Sequence, residues 1–143
     1  MAEILSAGER RAVQTAIAAA ERNHRGEIRV HLESRYAGDG PVRRAEILFH
    51  ELGLDRTQDG TGVLLYVAER DRKAAVFAGP GVYGAREPGF WTDVAAAVAR
   101  GYADGDRIAG LLRALEMIGE ILRSAAPGED TAGNELPNQV TTT

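Results

Sequence analysis

The sequence predicts an α/β fold in which a small β-sheet of about three to four strands is sandwiched by α-helices. Segments with helical spacing of apolar residues alternate along the chain with segments of strand character, which is typical of helices packed over a sheet. Residues 62–67 form an apolar run, as expected of a strand that is buried on both faces. With 143 residues, 44% of them hydrophobic, the chain is long enough to bury one ordinary core.

The first two elements are a helix and a strand. Ser6 and Glu9 have the spacing of a capping box, so we expect a helix that runs from Ser6 to about His24 and is ended by Gly26. Residues 27–33 then alternate between apolar and polar side chains, which predicts a β-strand with one wet or partly wet face. The apolar and polar faces are, respectively, Ile28, Val30 and Leu32, and Glu27, Arg29, His31 and Glu33.

A second helix and a β-hairpin follow. Apolar residues at helical spacing predict a helix between Pro41 and Gly53. The buried strand at residues 62–67 leads into four consecutive charged residues, 69–72, which we expect at the surface. The apolar residues up to Ala78 predict the returning strand, and the glycines at 79 and 81 predict a chain reversal.

The last part of the chain is predicted to be helical and then polar. A third helix is expected from Phe90 to Tyr102, and a strongly amphipathic fourth helix from its cap, Asp106, until Pro127 ends it. Residues 1–126 would thus form a single domain. Residues 127–143 are polar and rich in Gly, Asn and Thr, so we expect a disordered tail.

The composition argues against several classes of function. A net charge of −4 without a Lys/Arg stripe disfavours nucleic-acid binding. The absence of cysteine excludes disulfides and thiolate chemistry. No apolar run is long enough for a membrane helix, and no signal peptide is recognisable, so we expect a soluble, cytoplasmic protein without membrane insertion.

Four acidic residues are the candidate ligands of a divalent cation. Asp59, Asp71, Asp106 and Glu27 lie in or beside predicted turns and strand ends, and carboxylates with loop carbonyls suit Ca²⁺ or Mg²⁺. Asp59 and Asp71 would lie at opposite ends of the buried strand, so they share one ion only if a loop folds back. The alternative is structural: Asp71 caps a turn and Asp106 caps a helix.

No catalytic constellation is visible in the sequence. The three histidines lack zinc-site spacing, no Gly-x-Ser-x-Gly elbow is present, and the glycines around Pro80 match neither a Walker nor a dinucleotide motif. Pro80 also removes a backbone N–H that an anion could use. Catalytic residues therefore stay unassigned, and we interpret Tyr66, Phe77 and Trp91 as packing residues.

The order of several motifs resembles the TPM domain family. They are residues 26–33, 62–67 and 71–73, Phe90-Trp91, Gly105-Asp106, residues 118–120, and Asn134-Glu135-Leu136-Pro137. The resemblance spans about Ser6 to Leu136 and implies a small α/β sandwich. Some members are described as acid phosphatases or divalent-metal binders, whereas others act in photosystem repair or membrane-receptor assembly without established chemistry.

Two functions follow from these observations. The first is a soluble binding module for an unknown protein partner, stabilised by a divalent cation. The alternative, which the resemblance implies, is a metal-dependent phosphatase-like hydrolase. A hydrolase should bring carboxylates from separate segments together in a concave pocket, whereas a binding module should expose an apolar surface.

Overall fold

The computed structural model describes residues 5–128 and 140–143. Within these residues it contains four helices and four strands, together with three short 3₁₀ turns. In chain order the elements are α1 (Ala7–Ala20), β1 (Glu27–Glu33), α2 (Pro41–Glu51), β2 (Gly62–Ala68), β3 (Lys73–Ala78), α3 (Pro88–Ala103), α4 (Arg107–Ala125) and β4 (Val140–Thr142). The predicted α/β architecture is confirmed.

The four strands form one mixed sheet in the order β3-β2-β1-β4. β1 pairs in parallel with β2 and with β4, so that Val30 lies opposite both Leu65 and Val140. β2 and β3 form the predicted antiparallel hairpin, with Leu65 opposite Val76. β3 is consequently an edge strand of the described sheet.

Helices cover both faces of the sheet. Three helices, α1, α3 and α4, pack on one face around a core that includes Val30, Leu65 and Leu115, all almost completely buried. On the opposite face α2 contributes Leu48 and Phe49 to a smaller core. β2 supplies alternate side chains to the two cores, which explains why its sequence is apolar throughout.

The polar face of β1 differs from the expectation of a wet face. Every residue of the strand is buried, and Arg29 and His31 are only 5% and 2% exposed. The reason is topological, because β1 lies between β2 and β4, and polar groups of α2 and β4 bond to its polar side chains.

The end of α1 and the C-terminal tail also differ from the sequence-based expectation. α1 ends at Ala20 rather than near His24, and Asn23 takes a left-handed φ of 66° just beyond it. The sequence predicts a disordered tail from residue 127, but Val140–Thr142 form β4 on the edge of β1. Residues 129–139, which include the Asn134–Pro137 motif, lie outside the described residues.

Candidate functional site

The four predicted cation ligands occupy separate places in the fold. Asp59 precedes β2 and Glu27 begins β1, so both belong to the same end of the parallel β1–β2 pair. Asp71 lies in the turn after β2, at the opposite end. Among the described residues, no group of three or more His, Asp or Glu side chains is close enough to hold a metal ion.

Two of these acids are bonded to residues of other segments. Asp59 forms an ion pair with Arg25. Asp71 accepts hydrogen bonds from the Tyr36 backbone N–H at 2.9 Å and from Arg35 at 3.1 Å, which ties the hairpin turn to the segment after β1.

The other two acids lie where a helix and a strand begin. Asp106 is the predicted N-cap of α4 and accepts a hydrogen bond from the Ala109 N–H at 3.1 Å. Glu27 is 3% exposed at the start of the sheet. The cation site itself stays a prediction.

A large groove follows the edge of β3 that pairs with no other described strand. It has a volume of about 1040 Å³ and follows the whole run from Ala74 to Ala78. α2 forms one wall with Val42 and Phe49, and α3 and the loop before it form the other with Tyr83 and Trp91. The lining is mainly apolar, and the alanines of β3 leave room above the strand. We call this surface the β3 groove.

Aromatic contacts hold both walls of the β3 groove in place. Phe49 packs against Phe77 of β3 with ring centroids 4.9 Å apart. On the other wall, the Trp91 ring N–H donates to the Tyr83 carbonyl at 3.0 Å, and the two rings stack 6.1 Å apart. Val42 and Tyr83 nevertheless remain 63% and 46% exposed, so apolar surface faces solvent at the rim.

The backbone at the floor of the groove has N–H and C=O groups that no described residue uses in backbone pairing. The Gly79 N–H donates to the Gly62 carbonyl at 2.8 Å, which makes Gly62 and Gly79 a hydrogen-bonded pair of the antiparallel ladder. Because bonded and non-bonded pairs alternate, the N–H and C=O groups of Ala74, Val76 and Ala78 point away from β2. They point into the β3 groove.

One end of the groove is basic. Arg70, Arg72 and Lys73 are exposed around the β2–β3 turn, and none of them forms an ion pair with a described residue. The opposite end, near Pro80, is flanked by ion-paired charges, Asp59 with Arg25 and Glu87 with Arg86. The basic end is thus the one whose charges are available to a partner.

Apart from the β3 groove, a polar cluster lies between β1, α2 and β4. Arg44 of α2 donates two hydrogen bonds to the Glu33 carboxylate, at 3.0 and 2.8 Å. The Tyr66 hydroxyl also donates to Glu33, as does the Thr143 hydroxyl at 2.8 Å. Burial raises the pKa of Glu33, but the hydrogen bonds from Arg44, Tyr66 and Thr143 outweigh it and hold that pKa at about 2.

His31 completes this polar cluster. Its two ring nitrogens lie 2.6 Å from the Thr141 hydroxyl and 3.0 Å from the Thr143 hydroxyl, so the ring links β1 to β4. Burial lowers the pKa of His31 to about 4 despite the nearby Glu33 carboxylate. The cluster therefore combines an ionised Glu33 with a neutral His31 at neutral pH, and its bonds are structural.

Sequence reasoning missed the β3 groove because three separate segments build it. The hairpin was visible in the sequence, but α2 and α3 come from either side of it along the chain. The available signal was the run of small residues in β3 beside three aromatic residues, Tyr83, Phe90 and Trp91. Phe77 in the floor and Trp91 in a wall do pack against neighbouring rings, as interpreted, but they also border an open surface.

Comparisons with known proteins agree on the fold. A family model described as the TPM domain matches residues 1–121. The NMR structure of the BA42 protein from the psychrophilic bacterium Bizionia argentinensis is 33% identical, covers 100% of this chain and 98% of its own, and superposes with a TM-score of 0.86.

Two more distant structures have the same fold. The N-terminal domain of the cg2496 protein from Corynebacterium glutamicum is 16% identical, with 88% of this chain and 79% of that chain covered and a TM-score of 0.65. The N-terminal domain of a P. gingivalis protein is 16% identical, with 86% and 79% covered and a TM-score of 0.71. No curated protein matches the chain. Within the described residues, no helix combines the length and apolarity that a membrane span requires.

Proposed function

The chain belongs to the TPM domain family, and we propose that it acts as a protein-binding module whose binding site is the β3 groove. The observation that carries the proposal is the combination of an apolar groove of about 1040 Å³ with a strand edge at its floor that pairs with no other described strand. Natural proteins generally protect such edges, so an accessible one beside exposed apolar surface favours a role in recognition.

The charges around the groove support binding rather than chemistry. His50 and Asp55 at the α2 wall pair with each other at 3.0 Å, and apart from the hydroxyls of Thr57 and Thr92 the rest of the lining consists of apolar or aromatic side chains and glycines. Such a surface offers apolar contact area to a peptide segment. The segment would bury Val42 and Tyr83 at the rim, which the free protein leaves in water.

A peptide-display selection on the immobilised full chain tests the proposal. Selected peptides should bind the wild-type protein and lose at least tenfold in affinity on Thr92→Arg, which puts a long cation at the exposed groove face of α3. The matched control is Ala96→Arg, an exposed position of α3 that lines no part of the groove. Equal loss on both variants, or no loss on either, would overturn the proposal.

The predicted divalent cation has its own test. Thermal unfolding should be followed in EDTA and then in Ca²⁺ or Mg²⁺, because an ion that binds only the folded state at about 100 times its Kd adds roughly 2.7 kcal/mol. A rise of several degrees that Asp59→Asn or Asp71→Asn abolishes would support the site and justify a phosphatase assay on that metal form. An unchanged midpoint would remove the physical basis of the hydrolase alternative.

A further inference from the structure

The shape of the β3 groove defines what kind of segment it accepts. We infer that the partner segment binds as an added β-strand, antiparallel to β3, and that its apolar stretch is followed by acidic residues. This inference rests on the proposed function and adds the conformation, direction and charge pattern of the ligand. Three independent features of the groove carry it.

The first feature is the hydrogen-bonding pattern of the edge. Ala74, Val76 and Ala78 present their N–H and C=O groups away from β2, at every second residue along the strand. No described residue forms a backbone hydrogen bond with them outside the sheet. An extended segment satisfies this row of groups, whereas a helix has no free backbone groups to offer along its length.

The second feature is the recess of the edge between two helices. An added strand would lie about 4.8 Å from β3 in the plane of the sheet, which places it between the layers that α2 and α3 form on the two faces. The edge of a second copy of the chain would bring its own α2 and α3 against these walls. The groove therefore suits a single peptide segment, and we expect the free protein to stay monomeric.

The third feature is charge complementarity along the groove. β3 runs from Lys73 to Ala78, so a strand antiparallel to it ends beside Lys73. That end carries Arg70, Arg72 and Lys73, exposed cations that form no ion pair with any described residue. Acidic residues after the apolar stretch would meet these cations, and the antiparallel direction is preferred because its ladder is slightly more stable than a parallel one.

The side chains of the added strand would alternate between the two walls. Alternate residues of a strand point to opposite faces, so one set faces Val42 and Phe49 of α2 and the other faces Trp91 of α3. β3 offers Ala74, Ala75 and Ala78 beneath these positions, which leaves space for β-branched side chains. Valine and threonine are thus the expected residues of the central stretch.

The direct experiment uses the full chain and a synthetic, capped peptide of alternating valine and threonine followed by two glutamates. Its Kd should be compared with that of the same peptide N-methylated on the amides that would face β3. We expect N-methylation to weaken binding at least tenfold, because it removes the N–H groups that donate to β3 and places methyl groups in the ladder without changing the side chains.

Direction and charge are tested with the reversed peptide and one charge variant. We expect the reversed sequence, with glutamates first, to bind several-fold more weakly at low salt, and we expect Lys73→Glu to remove that difference. Arg11→Glu, on the exposed side of α1, is the matched control and should leave the difference intact. Equal binding of both directions at low salt would contradict the antiparallel, acid-terminated ligand.

Failure of this inference can be told apart from failure of the proposed function. If the parent and N-methylated peptides bind equally and both are blocked by Thr92→Arg, the groove binds its ligand without strand addition. If the peptide does not bind, strand addition is contradicted, and the display-selected peptides then show whether the groove is a binding site at all. If those peptides also ignore Thr92→Arg, the proposed function fails.

Discussion

Glu33 and His31 illustrate how single residues of β1 acquire buried partners. The alternation of residues 27–33 predicts the strand and its polar face, but the burial of that face depends on residues far along the chain. Thr141 of β4 and Thr143, which follows this strand, lie 110 and 112 positions from His31 along the chain. Sequence periodicity carries no information about such a distant strand.

The Glu33–Arg44 pair should contribute strongly to stability. Glu33→Gln leaves the Arg44 guanidinium without its carboxylate in a largely buried site, and we expect a loss of about 3 kcal/mol in the free energy of unfolding. Urea unfolding at pH 7 measures it. Glu46→Gln, which removes the exposed Arg43–Glu46 pair, is the control and should cost less than about 1 kcal/mol. Equal costs would contradict the buried role of Glu33.

His31 should make stability depend on pH. Its pKa is about 4 in the folded protein, below the ordinary 6.5, so the unfolded chain binds the extra proton first as the pH falls. Stability should therefore drop by roughly 2 kcal/mol between pH 7.5 and pH 5 on account of this ring. The facing groups are Glu33 and Arg29 of β1, Arg44 of α2 and Tyr66 of β2.

The measurement compares unfolding free energies of the wild type and two variants at both pH values. His31→Gln should flatten the pH dependence, whereas His50→Asn, at an exposed site on α2, should retain it. A slope that survives His31→Gln unchanged would show that other groups cause it. Glu33 affects this comparison little, because its contribution is lost only as the pH falls from about 4.5 towards its folded pKa of about 2.

Gly81, in the loop after β3, packs tightly against the backbone of the loop before β2. A Cβ atom there would lie 2.1 Å from the Asp59 carbonyl oxygen, so Gly81→Ala must displace backbone. We expect a loss of about 1–3 kcal/mol. Gly84→Ala is the matched control, because its Cβ would meet nothing within 4 Å, and thermal unfolding should find it nearly neutral. Equal effects would contradict the tight contact.

At the scale of elements, strong local patterns predicted most of the fold. The capping box of α1, the Asp106 cap of α4 and the β2–β3 hairpin all appear in the structure as expected. Helix ends were less predictable, since α1 stops short of His24. β4 was missed because three polar or β-branched residues form a strand only when β1 offers them an edge.

The central strand β2 gives the clearest prediction for an element. Leu65 is completely buried, so Leu65→Asp places an unpaired charge in the core and should abolish cooperative thermal unfolding. Leu112→Asp on α4, where the leucine is 36% exposed, should still melt cooperatively. Circular dichroism on both purified variants distinguishes them. A folded Leu65→Asp protein would show that the assigned core is wrong.

At the scale of the whole molecule, the topology separates residues that are close together in the sequence. Asp59 and Asp71 are twelve positions apart, yet they lie at opposite ends of β2, as the strand length predicts. The groove is the opposite case, in which segments distant in the sequence come together. α2 and α3 lie on either side of β3 only after the sheet and its two layers are assembled. A surface of that kind depends on tertiary packing and leaves only a weak sequence signal.

Amide hydrogen exchange of the full chain, with and without the valine–threonine peptide, tests the central claim most directly. In the free protein Ala75 and Phe77 should be protected by the β2 ladder, whereas Ala74, Val76 and Ala78 should exchange rapidly. Peptide binding should slow exchange at those three positions selectively. Unchanged exchange at Ala74, Val76 and Ala78 under saturating peptide would contradict strand addition in the β3 groove.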